Sequence, residues 1–241
     1  MLENFNIENI LFLDIETVPM AEDYGKLSDN LQKLWNKKAD ILARNERNQV
    51  QGNPSPEDLF ERAGIYAEFG RIICISTGIF RNGSIWIKSY FGDDEKEILL
   101  EFSEMMVKAG QKKIQFLCAH NGKEFDYPYM IRRMLINGIE IPAILDLSGK
   151  KPWEIPHLDT MELWKFGDFK NYTSLELLAA SFGIPTPKDD IEGKDVGRVY
   201  WQEKNLPRIV TYCQKDVITI VSLFLRFQGK PILRDDQLMF M

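Results

Sequence analysis

Hydrophobic and polar positions succeed one another along this chain in blocks whose period changes several times. The first block, LFLDIE at residues 11–16, reads as a buried strand until two carboxylates, Asp14 and Glu16, break the apolar run at its end. From about Glu22 to Arg62 apolar positions become sparse among Lys, Asn, Glu and Gln, the pattern of an inserted helical segment. Within it GNPSPED (52–58) is a loop signal, with Ser55 placed to cap a short second helix ahead of Pro56. The β-rich runs RIICISTGIF and SIWIKSYF flank Asn82-Gly83, which predicts a tight hairpin of antiparallel strands.

Farther on, DDEKEILLEFSEMMVKAG carries acids in its first turn and apolar residues at helical spacing, predicting an amphipathic helix that ends at Gly110; KIQFLCAH predicts the next strand. Helices follow over about 125–136, closed by Asn137-Gly138, over SLELLAASFG, and from about Asn205 to Gln228 with Pro207 in the first turn and Gly229 past the end. A short extended piece surrounds HLDT. Strands interleaved with helices, together with a hairpin, predict an α/β fold with a mixed sheet. The expected organisation is one domain over residues 1–241, with the helical insertion at about 22–62 and a short tail from about 229.

Composition narrows the class. A chain of 241 residues that is 44% hydrophobic can bury a sizeable core. The segment MLENFNIENI has no basic stretch followed by an apolar one, and no apolar run reaches bilayer length, so the expectation is a soluble, cytoplasmic protein with no membrane partner. Cys74, Cys118 and Cys213 are scattered and odd in number, which points to reduced, buried thiols rather than a disulfide framework or a zinc site. A net charge of −6 weighs at first against a nucleic-acid partner. Four carboxylates in a metal site would account for most of it, however, and bound cations would offset them locally.

Three acidic motifs carry the candidate chemistry. Asp14 and Glu16, two apart in a strand, point to one face about 7 Å apart and make a hard-oxygen pocket; a solvated strand end is the alternative for the pair taken alone. Asp126, in AHNGKEFDYPYM, stands where a strand passes through a loop into a helix, either as a helix cap or as a site carboxylate. In YCQKDVITIVSLF, Tyr212 and Asp216 are one helical turn apart, so a phenol and a carboxylate address the same place. An Asp inside a helix has poor propensity and no capping role there. Jointly, three separated segments bring acids to a strand end or to a helix able to pack beside the sheet.

In order and context, LDIETVP, HNGKEFDYPYM and YCQKD resemble the three exonuclease motifs of the DEDD superfamily of 3′–5′ exonucleases. The likeness is nearest to the exonuclease domain of family B DNA polymerases and its stand-alone relatives, over roughly residues 9–228. This resemblance implies a ribonuclease H-like fold, a mixed central sheet flanked by helices. It also implies a metal-dependent 3′–5′ exonuclease acting on the 3′ ends of single-stranded nucleic acid, DNA favoured over RNA. Asp14, Glu16, Asp126 and Asp216 would then bind two divalent ions, Mg²⁺ or Mn²⁺, which as hard cations prefer oxygen ligands. Tyr212 would mark the tyrosine subgroup, with Thr211 where the histidine subgroup has its catalytic His. In the implied two-metal mechanism Asp14 bridges both ions, Glu16 and Asp216 hold the water-side ion, and Asp126 acts on the second. Tyr212 orients the attacking water, since a phenol of pKa near 10 is a poor base at neutral pH.

Thr17, Asn121 and Phe125 are the candidate substrate contacts, Phe125 by stacking on a base or, alternatively, by packing under its motif. Lys123, Arg132, Arg133, Lys165 and Lys170 are candidate phosphate contacts. His120, His157 and Asp159 are expected to serve structure. Two other readings compete: a non-catalytic module binding nucleic acid or a protein partner on the same fold, and a hydrolase of small nucleotides. The complete acidic set with Tyr212 favours catalysis, and no residue identifies a protein partner.

Overall fold

The first apolar run is longer than predicted because it lies inside a sheet. In the computed structural model, which describes residues 5–46, 54–168, 172–185 and 190–241, it forms strand β1, Ile10–Pro19. The other strands are β2 (Gly70–Arg81), β3 (Ser84–Phe91), β4 (Phe116–Ala119), β5 (Leu158–Asp159) and β6 (Leu238–Phe240), in the order β5-β4-β1-β2-β3-β6. The β1–β2 and β2–β3 pairings are antiparallel and the other three parallel, so the sheet is mixed, as expected. The β2–β3 hairpin turns at Asn82 (φ 51°) and Gly83 (φ 80°), both in the left-handed region that a two-residue turn of this hand requires.

The α-helices among the described residues are α1 (Asp29–Glu46), α2 (Glu95–Lys112), α3 (Asp126–Ile136), α4 (Thr160–Lys165), α5 (Leu175–Ser181), α6 (Val196–Trp201) and α7 (Leu206–Phe227). The central strand β1 is covered on both faces, which is why its sequence reads as continuous apolar residues. Leu11, Leu13 and Ile15 join Phe102 and Met106 of α2 and Tyr129, Met130 and Met134 of α3 in one buried cluster. On the other face Ile10 and Phe12 pack with Val217, Ile220 and Phe224 of α7, the rings of Phe12 and Phe224 meeting edge to face at 5.5 Å. Among the described residues no helix is long and apolar enough to cross a membrane.

Several local expectations are corrected. Helix α2 does not stop at Gly110: no positive φ is needed there, and the chain leaves the helix only at Lys113, whose N–H still bonds Ala109 O. Ser55 does accept from the Asp58 N–H, but a turn and a 3-10 segment, Phe60–Ile65, follow it instead of an α-helix. The insertion is pinned by tertiary contacts, with Trp35 fully buried and donating to Pro56 O at 2.7 Å; Gly52 and Asn53 of the loop signal lie outside the described residues. Its base closes where Pro19 pairs with Gly70, so it is an excursion between β1 and β2. The tail contributes β6, parallel to β3, and α4 and α6 are six-residue helices; all three are too short to show a period in sequence.

Arg133 is not a phosphate contact. Its Nε and Nη2 donate to Glu95 Oε1 and Oε2 at 2.8 and 2.5 Å, its Nη1 donates to Ala67 O at 2.7 Å, and both residues are buried. Glu95 also accepts from the Ile72 N–H (2.7 Å) and Asn137 Nδ2 (3.0 Å), so one ion pair joins α2, α3, β2 and the end of the insertion. Arg133→Met would leave the Glu95 carboxylate buried without its cation and should lower the unfolding free energy by about 3–5 kcal/mol. The exposed neighbouring change Arg132→Ala should stay within about 0.5 kcal/mol. Urea denaturation measures both, and an unchanged midpoint for Arg133→Met would refute this role.

Candidate active site

Two periodicities assemble the acidic cluster. On the α7 face of β1 the side chains run Ile10, Phe12, Asp14, Glu16, Val18, each step rising about 6.6 Å. Along α7, one turn after another, run Phe224, Ile220, Asp216 and Tyr212, each four residues rising about 6 Å. Because the steps nearly match, apolar meets apolar at one end, where Phe12 lies against Phe224 and Ile220. At the other end Val18 meets Ile209 and Tyr212. The carboxylates of β1 and α7 are thereby enclosed between two apolar clusters. The β1–β2 register slips between Glu16 and Thr17, so Ile73 is an extra residue on β2, a bulge beside the acidic pair.

Asp126 arrives from a third direction. β4 pairs with β1 only through Phe12, and beyond Ala119 the edge of β1 is open. The chain turns at Asn121-Gly122, ahead of α3; a Cβ on Gly122 would lie 2.5 Å from that of Ala119 and 3.1 Å from the Tyr127 ring, so the turn admits only glycine. Phe125 occupies the cap position and Asp126 is the first helical residue, which disposes of the capping alternative. The Asp126 carboxyl instead lies near its own N–H and that of Ile15, between the two acids of β1, and both favour its charged form.

The cluster strongly disfavours its own ionisation. Ligand atoms of Asp14, Glu16 and Cys213 all lie within 4.8 Å of one another. Burial first, then the charges of Asp216, Glu16 and Asp126, push the Asp14 carboxyl well above the usual carboxylate range. Burial followed by Asp216 does the same to Glu16, and burial raises Asp126 to about 8. Asp14 Oδ2 is buried and has no hydrogen-bond partner. Tyr212, beside Asp216, is pushed above its ordinary range by burial and then by Asp216, Glu16 and Asp14, so it keeps its proton. An orphaned oxygen among buried, mutually repelling carboxyls fits hard divalent cations, whose charge would reverse these shifts. The Cys213 thiol beneath donates to Asp14 O at 3.4 Å and forms the floor of the site. Sequence reasoning did not single it out, although its place beside Tyr212 was a signal.

The remaining candidates divide. The Thr17 side chain lies near the Tyr129 hydroxyl, on the α3 side of the sheet, and that hydroxyl donates to Gly64 O at 2.7 Å. Asn121 has φ 61°, and its Oδ1 is buried without a partner. Phe125 is half-buried, its ring centroid 5.3 Å from that of Tyr129, so the packing alternative has a definite contact. Lys123 pairs with Glu162 at 2.6 Å; Arg132 is exposed, Lys165 is half-buried and Lys170 lies outside the described residues. Both histidines use both ring nitrogens: His157 bonds Leu117 N and Ile144 O and is lowered by burial to about 4, and His120 bonds Thr160 Oγ1 and Thr173 O.

Fold and site together define a class: an α/β protein with an acidic cluster between its central strand and a crossing helix. Residues 65–232 match the family described as "Predicted 3'-5' exonuclease related to the exonuclease domain of PolB", and the chain belongs to that family. The matched stretch contains Asp126, Tyr212 and Asp216; Asp14 and Glu16 precede it. Among solved structures, a family B DNA polymerase from the hyperthermophilic archaeon Pyrobaculum calidifontis is similar, with a TM-score of 0.51 and 16% sequence identity, over 91% of this chain and 24% of that one. The chain therefore spans about a quarter of that polymerase, and the likeness is one of fold, ribonuclease H-like as expected. No curated protein matches the chain.

Without metal, the protein should be most stable in mild acid. Burial holds the Asp126 carboxyl at about 8 when folded, against about 3.9 when unfolded, so stability present below the lower value is lost as pH rises through the higher one. Asp14 and Glu16 act in the same direction. Mg²⁺ or Mn²⁺ should therefore raise Tm most on the alkaline side, by about 2–4 °C for each kcal/mol of stabilisation. Asp14→Asn should raise the metal-free Tm at pH 8 while abolishing that response. Thermal melts in EDTA and in Mn²⁺ check this, and equal metal responses in wild type and Asp14→Asn would exclude Asp14 as a ligand.

Proposed function

We propose that this chain is a metal-dependent 3′–5′ exonuclease of the tyrosine subgroup that removes nucleotides from the 3′ ends of single-stranded nucleic acid, DNA before RNA. One observation carries the reading: Asp14 and Glu16 on β1, Asp126 on α3 and Asp216 on α7 converge so closely that their charges act on one another, with Tyr212 beside Asp216. All four carboxylates would be metal ligands. Two bound Mg²⁺ or Mn²⁺ ions would supply a nucleophile at neutral pH and neutralise charge on the phosphate and the leaving 3′ oxygen.

The chain's own groups do the rest. Tyr212 stays protonated, so it acts by holding the attacking water in line through a hydrogen bond and not as a base. Thr211, at the position of the other subgroup's histidine, is exposed and donates back to Pro207 O, which supports the tyrosine assignment. Asn121 and the exposed part of Phe125 would contact the strand, and the Thr17 main chain lies beside the acidic pair. The preference for DNA rests on the family's relation to a polymerase domain. Three buried, unpaired thiols support a reducing, cytoplasmic setting. The complete acidic set supports catalysis over a binding-only module on this fold.

The test is the purified protein with 5′-labelled single-stranded DNA and RNA in Mg²⁺, Mn²⁺ or EDTA, beside an Asp14→Ala, Glu16→Ala double variant. A metal-dependent ladder shortening from the 3′ end is expected from the wild type and none from the double variant. Tyr212→Phe should lower kcat roughly a hundredfold, as for loss of one positioned hydrogen bond, with KM little changed. Intact DNA and RNA under every metal condition would end the exonuclease reading.

A further inference from the structure

Asp159 is buried and stands next to the acidic cluster, close enough for its charge to act on Asp126, but belongs to none of the three acidic motifs. It ends β5 and caps α4, its Oδ1 accepting from the N–H groups of Met161 (2.9 Å) and Glu162 (3.3 Å). A helix cap requires nothing more, yet the same carboxylate reaches some 40 residues back along the chain. Oδ1 also accepts from the Asn121 N–H at 2.9 Å, and Oδ2 from the Lys123 N–H at 3.1 Å. Four main-chain donors from two segments thus converge on one side chain, through the stronger, charge-assisted kind of hydrogen bond.

The loop so held is one that would otherwise relax. Asn121 sits in the left-handed region, φ 61°, and its Oδ1 is buried with no hydrogen-bond partner. Both features are unfavourable on their own, and backbone strain of this kind persists only where the surroundings enforce it. The ring of the preceding His120 is fixed at the same junction, between Thr160 Oγ1 and Thr173 O at 2.9 Å each. The loop then leads directly to Phe125 and Asp126. An acceptor left unsatisfied beside an acidic cluster is suited to a hydrogen-bond donor that arrives with a ligand.

We propose that Asp159 is a positioning residue for the substrate strand. By clamping the main chain of Asn121 and Lys123 to the start of α4, it keeps the Asn121 side-chain oxygen set to accept a hydrogen bond from the terminal nucleotides. This inference rests on reading the site as one that hydrolyses strands. It adds a residue from outside the acidic motifs, acting through the main chain of a second one.

The test is a double-mutant cycle read in Michaelis parameters: wild type, Asn121→Ala, Asp159→Ala and the double variant shortening single-stranded DNA in Mn²⁺, with Asp159→Asn alongside and folded fractions matched by thermal melts. Asp159→Ala should raise KM about tenfold with a smaller loss in kcat, and Asp159→Asn, which keeps one acceptor oxygen, should recover most of it. In the Asn121→Ala background the effect of Asp159→Ala on KM should fall to within about twofold, because residues that act through one another are not additive. An Asp159→Ala effect carried over in full, or a KM unchanged at equal folded fraction, would overturn the proposal. If Asp159→Ala does not fold, Asp159→Ser, which keeps the helix cap but is too short to hold Asn121 and Lys123 as well, takes its place in the cycle under the same criteria. A wild-type protein that shortens no strand would instead sink the exonuclease reading itself, and the substrate role of Asp159 with it.

Discussion

The packing of α7 across β1 is the constraint on which the rest of this structure depends. A strand advances about 6.6 Å for every second residue and a helix about 6 Å for every fourth, so the two elements stay in step for only a few repeats. Within that span the sequence places Phe12 against Phe224 and Val18 against Ile209, with the acids between. The apolar contacts on either side thus dictate the position of the acids. A one-residue slip of β1 would turn Asp14 and Glu16 to the face occupied by α2 and α3, into the cluster of Phe102, Met106 and Tyr129. The hydrophobic core and the site are therefore specified by the same register.

The molecule buries charge in two contrasting ways. Glu95 is neutralised within the chain by Arg133, and Asn137 and the Ile72 N–H satisfy its oxygens further. Nothing in that arrangement calls for an external ligand. At Asp14 the leading charges are those of other carboxyls, and one oxygen has no hydrogen-bond partner at all. Buried charges are ordinarily paired or bound to metal. Where the chain supplies a guanidinium the group is structural, and where it supplies further carboxyls they hold their protons unless positive charge comes from outside. This contrast separates Arg133, one of the candidate phosphate contacts offered by the sequence, from the carboxyls of the cluster.

Legibility in the sequence followed the length scale of each interaction. The β2–β3 hairpin, α2, α3 and α7 were readable because their turn residues and periodicities are local. The pairs Asp14/Glu16 and Tyr212/Asp216 were readable because the periods of two and of four residues decide which side chains share a face. α4, α6 and β6, of three to six residues, have no room for a period. β6 exists only because β3 offers an edge for it, a fact that resides more than 140 residues upstream. Gly110 read as a stop and is passed over, since a glycine ends a helix only where the chain adopts positive φ. The Asp159 clamp was least legible: its donors are main-chain N–H groups, which every residue but proline carries, so no residue type announces it.

The choice between positions 211 and 212 shows how finely helix geometry divides function. Adjacent residues on a helix point about 100° apart. Tyr212, a full turn before Asp216, is buried in the cluster with Val18 and Ile73, whereas Thr211 faces solvent and returns its hydroxyl to Pro207 O. A histidine at 211 on this backbone would point away from the carboxyls, so the identity of the site's second polar group is tied to the rotation of α7 and not to one side chain. The consequence is chemical. A histidine's titration falls near neutrality, whereas Tyr212, shielded from water and faced by carboxyls, holds its proton through and beyond the physiological range. Across the physiological range, any dependence of this cluster on pH therefore originates in the carboxyls, with the phenol staying protonated.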